Sequence, residues 1–436
     1  MDTTDASNTE PLDLIIIGAG IGGVIALHYA RKAGLDVLLL ERQSVVGGLW
    51  AELPAWQDIQ FGRHDWTLGD LPIAGEDQAS IRDNIQSWVD RFDLADDMHF
   101  NTEVTRASRE GEVWLIETPT GTYRCKHLLA ATGAHNRPLI PSPERDAIEL
   151  RELHSSALRE PGELAGRNVV VVGGGASAYD LLDLCFEREA RSVIWVYRHT
   201  RWMMPTRQPK SIAGSPRGLA KMQMEGASAE QISHALHVDM TARYAKLGLQ
   251  DILPEEPFDL GRHQLVPGRW RMISNYARIQ RHRAEVVRVA GRRVELSTGE
   301  TVEADLLLWG TGYEIDLRFF ANEALGRIRR HDDLIAQCGC GVRALAEPNL
   351  YFMAAGLEST GTAPWSYALL ARTLMAHIRG QATLELVPLA SKINHFHYPA
   401  FLAARDPVNF PQGQWEDLYR RLGTSHPVDQ PLPIPD

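Results

Sequence analysis

The strongest constraint on the fold is a short apolar run that leads into a glycine-rich turn and then into a helical segment. Leu12–Ile17 is rich in isoleucine and predicts a buried parallel strand. Ile21–Ala33 has the apolar spacing of a helix, and Gly34 ends it. Val37–Leu40 predicts the next buried strand. Together these segments predict a βαβ unit.

The same plan returns in the second half of the chain. Val169–Val172 predicts a strand, and Gly173–Gly175 predicts the turn that follows it. Ser177–Arg188 then has helical spacing, and Val193–Tyr197 predicts the second buried strand. A segment that returns in this order predicts that the chain uses one architecture twice.

Each half continues with a β-rich segment. Asn101–Leu129 and Ala284–Leu308 both carry hairpin turn signals, and both lead into a Thr-Gly dipeptide. The fold class is therefore predicted to be α/β, with two Rossmann-like dinucleotide-binding domains, the second inserted in the first.

The repeat also predicts domain boundaries. Residues 1–160 form the first segment of the outer domain, 161–305 the inserted domain, and 306–436 the second segment of the outer domain. Residues 205–283 fit the repeat less well, and we interpret them as a helical elaboration of the inserted domain.

Composition excludes several classes of protein. With 44% hydrophobic and 23% charged residues the chain is an ordinary globular protein, and four cysteines in 436 residues predict a reducing, cytoplasmic location. A net charge of −11 argues against nucleic acid as a partner. The sequence predicts no export signal and no membrane span, and its 16 histidines form no metal-binding motif.

The first glycine cluster predicts a dinucleotide site. Gly18, Gly20 and Gly23 match G-x-G-x-x-G between a strand and a helix, and Glu41 follows at the end of the next strand. The glycines permit a tight turn, a close approach of a pyrophosphate to the helix N-terminus, and close packing of helix on strand. Glu41 offers a carboxylate to ribose hydroxyls.

The second cluster predicts a dinucleotide with an additional phosphate. Gly173, Gly175 and Ala178 form a G-x-G-x-x-A variant, and Arg198 and Arg201 follow the next strand in place of an acid. Cations at this position suit a 2′-phosphate, so the motif predicts NADPH rather than NADH. NADPH supplies two electrons at once, which a flavin accepts, so the first site is predicted to hold FAD.

Six segments resemble motifs of one enzyme family, the class B flavoprotein monooxygenases, which include the flavin-containing and Baeyer–Villiger monooxygenases. The segments span nearly the whole chain; they are Gly47–Trp50, Ala131–Gly133, Gly173–Leu182, Arg198–Trp202, Trp309–Tyr313 and Asn349–Leu357. Trp309-Gly310 departs from the family's motif at its start.

The motifs and the resemblance together give two sets of binding residues. For FAD they are Gly18, Gly20, Gly22, Gly23, Glu41, Arg42, Gly48, Leu49, Trp50, Thr132, Gly133, Gly312 and Gly356. For NADPH they are Gly173, Gly175, Ala176, Ser177, Ala178, Arg198, His199, Arg201 and Thr311. The resemblance also implies that the helix at about Trp365–Arg379 points its N-terminus at the flavin.

Other family positions depart from the pattern. In the fingerprint between the two glycine motifs only His154 and its neighbour match, so His154 is either a hinge residue between the domains or an ordinary surface histidine. No catalytic residue is assigned, and four candidates near the flavin follow from position alone: Gln57, Asp58, Gln60 and Arg63.

The predicted function is an FAD- and NADPH-dependent monooxygenase that takes O₂ and a small organic substrate. The resemblance implies a C4a-peroxyflavin that inserts one oxygen atom, by N- or S-oxygenation, hydroxylation or Baeyer–Villiger oxidation. One alternative is an NADPH-dependent flavin reductase or dehydrogenase without oxygen transfer, because the same fold hosts both. A non-catalytic sensing module is the other.

Two further clusters are left with open interpretations. Cys338 and Cys340 form C-x-C, which is interpreted as structural rather than as a redox pair. Trp202–Met204 is predicted to line either the substrate mouth or the core.

Overall fold

The structure is a computed structural model of the chain. It describes residues 10–59, 66–67, 71, 73–205, 227–353, 357–358, 363–387, 393–394, 405–406 and 408. Three predicted site residues lie outside the described residues: Gln60, Arg63 and Gly356.

The α-helices of the described residues are numbered in chain order. They are α1 (Ile21–Lys32), α2 (Leu49–Glu52), α3 (Gln78–Arg91), α4 (Ala176–Glu187), α5 (Ala229–Leu247), α6 (Trp270–Ser274), α7 (Glu323–Gly326), α8 (His331–Ala336) and α9 (Ala363–Ile378).

The strands are numbered in the same way. They are β1 (Leu12–Ile17), β2 (Val37–Leu40), β3 (Met98–His99), β4 (Arg106–Glu110), β5 (Val113–Thr118), β6 (Gly121–Ala130), β7 (Arg137–Pro138), β8 (Glu144–Asp146), β9 (Arg151–His154), β10 (Asn168–Val172), β11 (Ser192–Tyr197), β12 (Met203–Met204), β13 (Val266–Pro267), β14 (Ile279–Arg283), β15 (Val286–Ala290), β16 (Arg293–Leu296), β17 (Thr301–Glu303), β18 (Leu306–Trp309), β19 (Tyr313–Glu314), β20 (Cys338–Gly339), β21 (Arg343–Ala344), β22 (Leu350–Phe352), β23 (Leu357–Glu358) and β24 (Ile393–Asn394).

The first sheet has the order β20-β21-β22-β6-β1-β2-β3, and the β4–β5 hairpin pairs with β6. Its centre is parallel, because β1 pairs in parallel with both β2 and β6. The isoleucine run of β1 is buried on both faces of this sheet: Leu14 and Ile16 pack on the side of α1, and Ile15 and Ile17 on the opposite side. This burial explains a strand without polar alternation.

The second sheet has the order β14-β11-β10-β18-β9 and is parallel throughout. Val169 and Val171 of β10 pack on the side of α4 and α5, and Val170 and Val172 face the small sheet β17-β16-β15-β8. The two sheets thus repeat one relation: β1 lies between β2 and β6, as β10 lies between β11 and β18. The architecture is α/β, as predicted, and the first sheet is mixed.

The chain crosses between the two sheets twice, and the two crossings pair with each other. The strands β7 and β19 are antiparallel neighbours, with Tyr313 opposite Pro138. The amide of Asn136 clamps the pair, since its Oδ1 accepts from the Asp316 N–H at 2.7 Å and its Nδ2 donates to the Asp316 carbonyl at 3.4 Å.

Most predicted elements are present within one or two residues, and one interpretation needs correction. The prediction for residues 205–283 is a helical elaboration, and α5 lies there, with Ser228 and Gln231 forming a capping box. The end of this segment, however, is β14, a strand of the second sheet. The strand Ile279–Arg283 contains two arginines and a histidine, and only Ile279 is buried. Because the sequence lacks an apolar run, it does not predict a strand of the sheet.

Trp202–Met204 belongs to the core. All three side chains are buried in the cluster beneath α4 and α5, although Trp202 also reaches the wall of a cavity. Cys338 and Cys340 are free and buried, and they belong to hydrophobic clusters on opposite sides of the first sheet. This burial in two separate clusters agrees with a structural interpretation of the C-x-C pair.

The departure at Trp309-Gly310 has a packing reason. Gly310 lies against the first turn of α4, where a Cβ on Gly310 would be 2.6 Å from the Ala178 Cα. The indole Nε1–H of the buried Trp309 donates to Glu152 Oε1 at 2.7 Å, and Arg145 holds the same carboxylate at 2.7 Å. Burial works to raise the pKa of Glu152, but these hydrogen bonds outweigh it and lower the pKa.

We predict that Gly310→Ala lowers the free energy of unfolding by about 1–3 kcal/mol, because the added methyl group overpacks the contact with α4. Urea unfolding measures this change. Gly162→Ala is the matched control, since nothing lies within 4 Å of a Cβ there. Equal stability of the two variants would contradict the packing role of Gly310.

Candidate functional site

The first glycine turn leaves the N-terminus of α1 open. Helix α1 begins after Gly20, which makes no side-chain cap, and its first turn contains no acidic residue. Gly18 adopts a φ of +105°, and a Cβ on Gly23 would overlap the Gly18 carbonyl oxygen. The backbone is thus tight, and its N–H groups are available to an anion at the positive end of the helix dipole.

Glu41 supports this turn directly. Its side chain is 4% exposed, and Oε2 accepts a hydrogen bond from the Ala19 N–H at 2.6 Å. Oε1 accepts from the Gln43 N–H at 2.8 Å. The carboxylate therefore fixes the turn and retains acceptor capacity for a further hydroxyl donor.

The segment Gly47–Trp50 closes over the same turn. The Gly47 N–H donates to the Ala19 carbonyl at 2.9 Å, and a Cβ on Gly48 would be 2.8 Å from the Gly20 Cα. Two backbone segments thus approach with no side chain between them. Arg42 lies beside the segment and pairs with Glu52 at 2.7 Å.

The second glycine turn is covered by the loop after β11. Helix α4 begins after Gly175, again without a side-chain cap or an acid in its first turn. A Cβ on Gly174 would overlap the His199 carbonyl oxygen, and the Arg201 N–H donates to the Gly174 carbonyl at 2.7 Å. The Cγ of Arg201 would lie 3.6 Å from a Cβ on Gly175, so the aliphatic part of this side chain borders the turn.

Arg198 stands at the rim of this turn. Its side chain is 70% exposed and pairs with Glu285 at 3.1 Å. Arg283, at the end of β14, donates from Nε to the Arg198 carbonyl at 3.1 Å. Arg283 is therefore in contact with the backbone of Arg198 at the carboxyl ends of β11 and β14, although the sequence analysis identified only Arg198 of the two.

One large cavity, of about 1730 Å³, extends from the second glycine turn to the Gly47–Trp50 segment beside the first. We call the part built around the first sheet the first body and the part built around the second sheet the second body. Residues of the first body that line the cavity include Leu49, Trp50 and Gln57, and His135 lines it from the first crossing. Those of the second body include Gly173, Gly175, Ala176, Ser177, Asp180, Arg198, His199, Arg201 and Arg283, and the crossings contribute Thr311, Gly312 and Tyr313. A long ligand bound at the second turn can thus reach the Gly47–Trp50 segment.

His154 is a buried residue at the end of β9, where it contacts the chain that crosses back to the first sheet, so the alternative of an ordinary surface histidine is wrong. It is 3% exposed, and its Nε2 lies 3.0 Å from the Gly312 carbonyl, which only accepts. Nδ1 accepts from the Ser156 N–H at 3.2 Å, so the hydrogen bonds assign the neutral Nε2–H tautomer. Burial lowers the pKa of His154, in agreement with a neutral ring.

A buried arginine joins the two parts of the molecule. Arg269, which precedes α6, donates from Nη1 to Asp58 Oδ1 at 2.8 Å and from Nε to Asp180 Oδ1 at 2.6 Å. The Arg269 side chain is 13% exposed, and Asp58 is 43% exposed. Burial raises the pKa of Asp180 to about 6, although the positive charge of Arg269 and its hydrogen bond act to lower this pKa.

Of the four candidate catalytic residues, two can be located. Asp58 forms an ion pair with Arg269 in the cluster Asp58–Arg269–Asp180. Gln57 lines the cavity, and its backbone carbonyl accepts a hydrogen bond from the Gln78 N–H at 3.0 Å. Sequence reasoning missed Arg269 because it lies in the segment without a motif. Asp180 lies two residues after the second glycine motif, within the segment Gly173–Leu182, and its position near the start of α4 was the available signal.

Two negative observations apply to the described ranges. Among those residues, no group of three or more His, Cys, Asp or Glu side chains is placed to hold a metal ion. None of the helices described there combines the length and apolar character that crossing a bilayer requires.

The fold and the paired turns agree with comparisons to known proteins. A family profile described as pyridine nucleotide-disulphide oxidoreductase matches residues 15–238, just over half of the chain. The chain therefore belongs to this family.

Its relatives narrow the class. A Baeyer–Villiger monooxygenase of Streptomyces coelicolor is 25% identical over 357 residues, 73% of this chain and 67% of the relative. An FAD-dependent monooxygenase resA of Aspergillus sclerotiorum is 27% identical over 381 residues, 71% of this chain and 66% of the relative. The chain thus spans about two thirds of the length of these two curated relatives.

A solved structure shows the same fold. The crystal structure of OTEMO in complex with FAD and NADP superimposes with a TM-score of 0.65 at 16% identity, over 86% of each chain. The comparisons confirm the predicted resemblance to the flavoprotein monooxygenases and the prediction of an oxidoreductase of that class.

The raised pKa of Asp180 predicts a pH-dependent stability. Between the ordinary pKa of 3.8 and the folded value of about 6, Asp180 holds more protons in the folded than in the unfolded chain. Its contribution to stability therefore declines as the pH rises through this window. Relative to D180N, the wild type should lose stability from pH of about 4 to about 6.

Thermal unfolding of both proteins across this window measures the effect. D180N also loses the ion pair with Arg269. That loss of stability is the same at every pH, so it does not affect how the difference in melting temperature changes with pH. A difference in melting temperature that does not change with pH would show that Asp180 titrates near its ordinary pKa.

Proposed function

We propose that the chain is an FAD- and NADPH-dependent monooxygenase that transfers one oxygen atom from O₂ to a small organic substrate. The observation that carries the proposal is the pair of uncapped helix starts at glycine turns, one supported by a buried carboxylate and the other flanked by arginines. The monooxygenase relatives support the same reaction class.

The first turn fits FAD. The close approach of Gly48 to Gly20 leaves a surface without side chains, where a pyrophosphate can lie against N–H groups of α1. Glu41 would accept the ribose hydroxyls with its remaining lone pairs. Trp50, on the wall of the cavity, is placed to border the flavin.

The second turn fits NADPH. The N-terminus of α4 would hold the pyrophosphate, and Arg201 beside Gly175 would add a cation to it. Arg198, at the end of β11, would bind the 2′-phosphate. Since the cavity continues to Trp50 and Gln57, the nicotinamide end would lie against the flavin side.

These fits imply two Rossmann-like domains, with the NADPH domain inserted in the FAD domain. The domain boundaries predicted at residues 160 and 305 then move, because β9 and β18 are strands of the second sheet and β8 pairs with β15 of the small sheet packed on it. We place the crossings at residues 131–143 and 310–316, where β7 and β19 pair. The four free cysteines fit the predicted cytoplasmic location.

FAD and NADPH would together supply the two-electron reduction and the activation of O₂. The chain supplies a buried guanidinium group, Arg269, which stabilises negative charge where the two domains meet. Asp180, with a pKa of about 6, can hold or release a proton at its Oδ atoms near neutral pH. An apolar part of the cavity wall, which would help to exclude water, is formed by Leu49, Trp50 and Leu53.

Among the four predicted oxygenation reactions, Baeyer–Villiger oxidation of a ketone has the most support. The Streptomyces coelicolor relative carries that name, and it aligns with 73% of this chain. A buried cation suits this reaction, since an anionic oxygen nucleophile and an oxyanion intermediate of the substrate both require stabilisation.

The direct test is rapid mixing of the NADPH-reduced flavoprotein with O₂ while flavin absorbance is recorded. The proposal predicts a long-lived spectrum distinct from those of both reduced and oxidised flavin, and a ketone should accelerate its decay. Free reduced FAD is the control. Direct return to oxidised flavin with stoichiometric hydrogen peroxide, with and without ketones, would favour the reductase alternative.

We predict that Arg269→Ala and Asp58→Asn reduce the fraction of NADPH oxidation coupled to oxygenation, with release of hydrogen peroxide instead. Loss of the guanidinium should lower the oxygenation rate about 100-fold or more. Asp58→Asn keeps the cation and should cost less. Product and peroxide quantified together check both variants.

Arg278→Ala is the matched control, because Arg278 lies in the same segment but bonds Asn275 on the surface. Coupling equal to that of the control in both variants would assign the Asp58–Arg269–Asp180 cluster a structural role alone. Arg269→Lys keeps the charge without the fork geometry, so partial recovery would support electrostatic stabilisation.

A further inference from the structure

The carboxyl ends of β11 and β14 carry two arginines that contact each other. These strands are parallel neighbours, and Tyr197 of β11 is in register with Arg283 of β14. Arg198 follows Tyr197 directly, and the contact between the two arginines is the hydrogen bond from the Arg283 Nε–H to the Arg198 carbonyl at 3.1 Å. Both side chains line the cavity at the second glycine turn.

Each of these arginines is paired with its own glutamate. Arg198 Nη1 lies 3.1 Å from Glu285 Oε1, and Arg283 forms an ion pair with Glu255 on the loop that follows α5. All four side chains are more than half exposed, from 55% to 70%. Ion pairs that face water in this way are weak, so a stronger anion can displace the carboxylates.

We propose that Arg283 is a second ligand of the NADPH 2′-phosphate, and that Glu255 and Glu285 compete with this phosphate for the two guanidinium groups. This inference rests on the proposed function. A phosphate dianion accepts several charge-assisted hydrogen bonds and fits the planar fork of each arginine. It is therefore the anion expected to displace two exposed carboxylates.

The glutamates also oppose the phosphate after they are displaced. They remain attached to the same short segments, Glu255 on its loop and Glu285 two residues after Arg283, so their charge stays near the site. A carboxylate repels a phosphate, whereas it accepts a hydrogen bond from a ribose 2′-hydroxyl. The two glutamates therefore make the preference for NADPH over NADH smaller than the preference that the two arginines would give without them.

The test is calorimetric binding of 2′,5′-ADP and 5′-AMP to the full-length flavoprotein, which measures affinity without turnover. Arg283→Ala and Arg198→Ala should each weaken the binding of 2′,5′-ADP about ten- to a hundred-fold and leave the binding of 5′-AMP unchanged. Glu255→Gln and Glu285→Gln should each tighten 2′,5′-ADP about two- to five-fold. Arg243→Ala is the control, an exposed arginine of α5 paired with Asp239.

The outcomes separate this inference from the proposed function. If the wild type binds 2′,5′-ADP more tightly than 5′-AMP but Arg283→Ala matches Arg243→Ala, Arg283 is a surface ion-pair residue and the inference is overturned. If both glutamine variants bind 2′,5′-ADP no better than the wild type, the competition is overturned, even where Arg283→Ala does not fold. A wild type that binds neither nucleotide contradicts the proposed NADPH site itself.

Discussion

The close approach of backbone to backbone at the two glycine turns is the constraint on which the rest of the structure depends. At the first turn Gly23 lies under the Gly18 carbonyl, and at the second Gly310 lies against Ala178. A side chain at these places would move the helix away from its strand. The same absence of side chains leaves both helix starts open, so the requirement for packing and the capacity to bind an anion have one physical origin.

Among the described residues, several polar contacts join the two bodies, and Trp56 of the first also packs against the hydrophobic core of the second. The crossings pair as β7 and β19, and His154 holds the Gly312 carbonyl from within the second sheet. Arg269 then connects Asp58 to Asp180 across the same boundary. Buried contacts of this kind favour one relative placement strongly, because a displaced partner would be left without its hydrogen bonds. A site for reaction between two cofactors requires such fixed placement.

Much of the fold could be predicted because its central signals are local. The apolar runs of β1 and β10 are long enough to be recognised, and each is followed by a turn with glycines that leave no room for a Cβ, Gly18 and Gly23 in the first and Gly173 and Gly174 in the second. The motif residues Glu41 and Arg198 likewise follow a strand end directly. By contrast β14 was hidden, because Gln280, Arg281, His282 and Arg283 make it look like surface, and its pairing with β11 depends on residues more than 80 positions away.

The sequence by itself determined the two strand–turn–helix units, their repetition and the chemistry of the residues that flank each turn. Only the tertiary structure decided that Arg269 meets Asp58 and Asp180, that Arg283 contacts Arg198, and that His154, buried at the end of β9, contacts the Gly312 carbonyl of the crossing. The reason is that turn geometry is dictated by neighbouring residues along the chain. The partners of a side chain in a loop or at a strand end are set by the pairing of sheets and the path of the crossings, which no local pattern encodes.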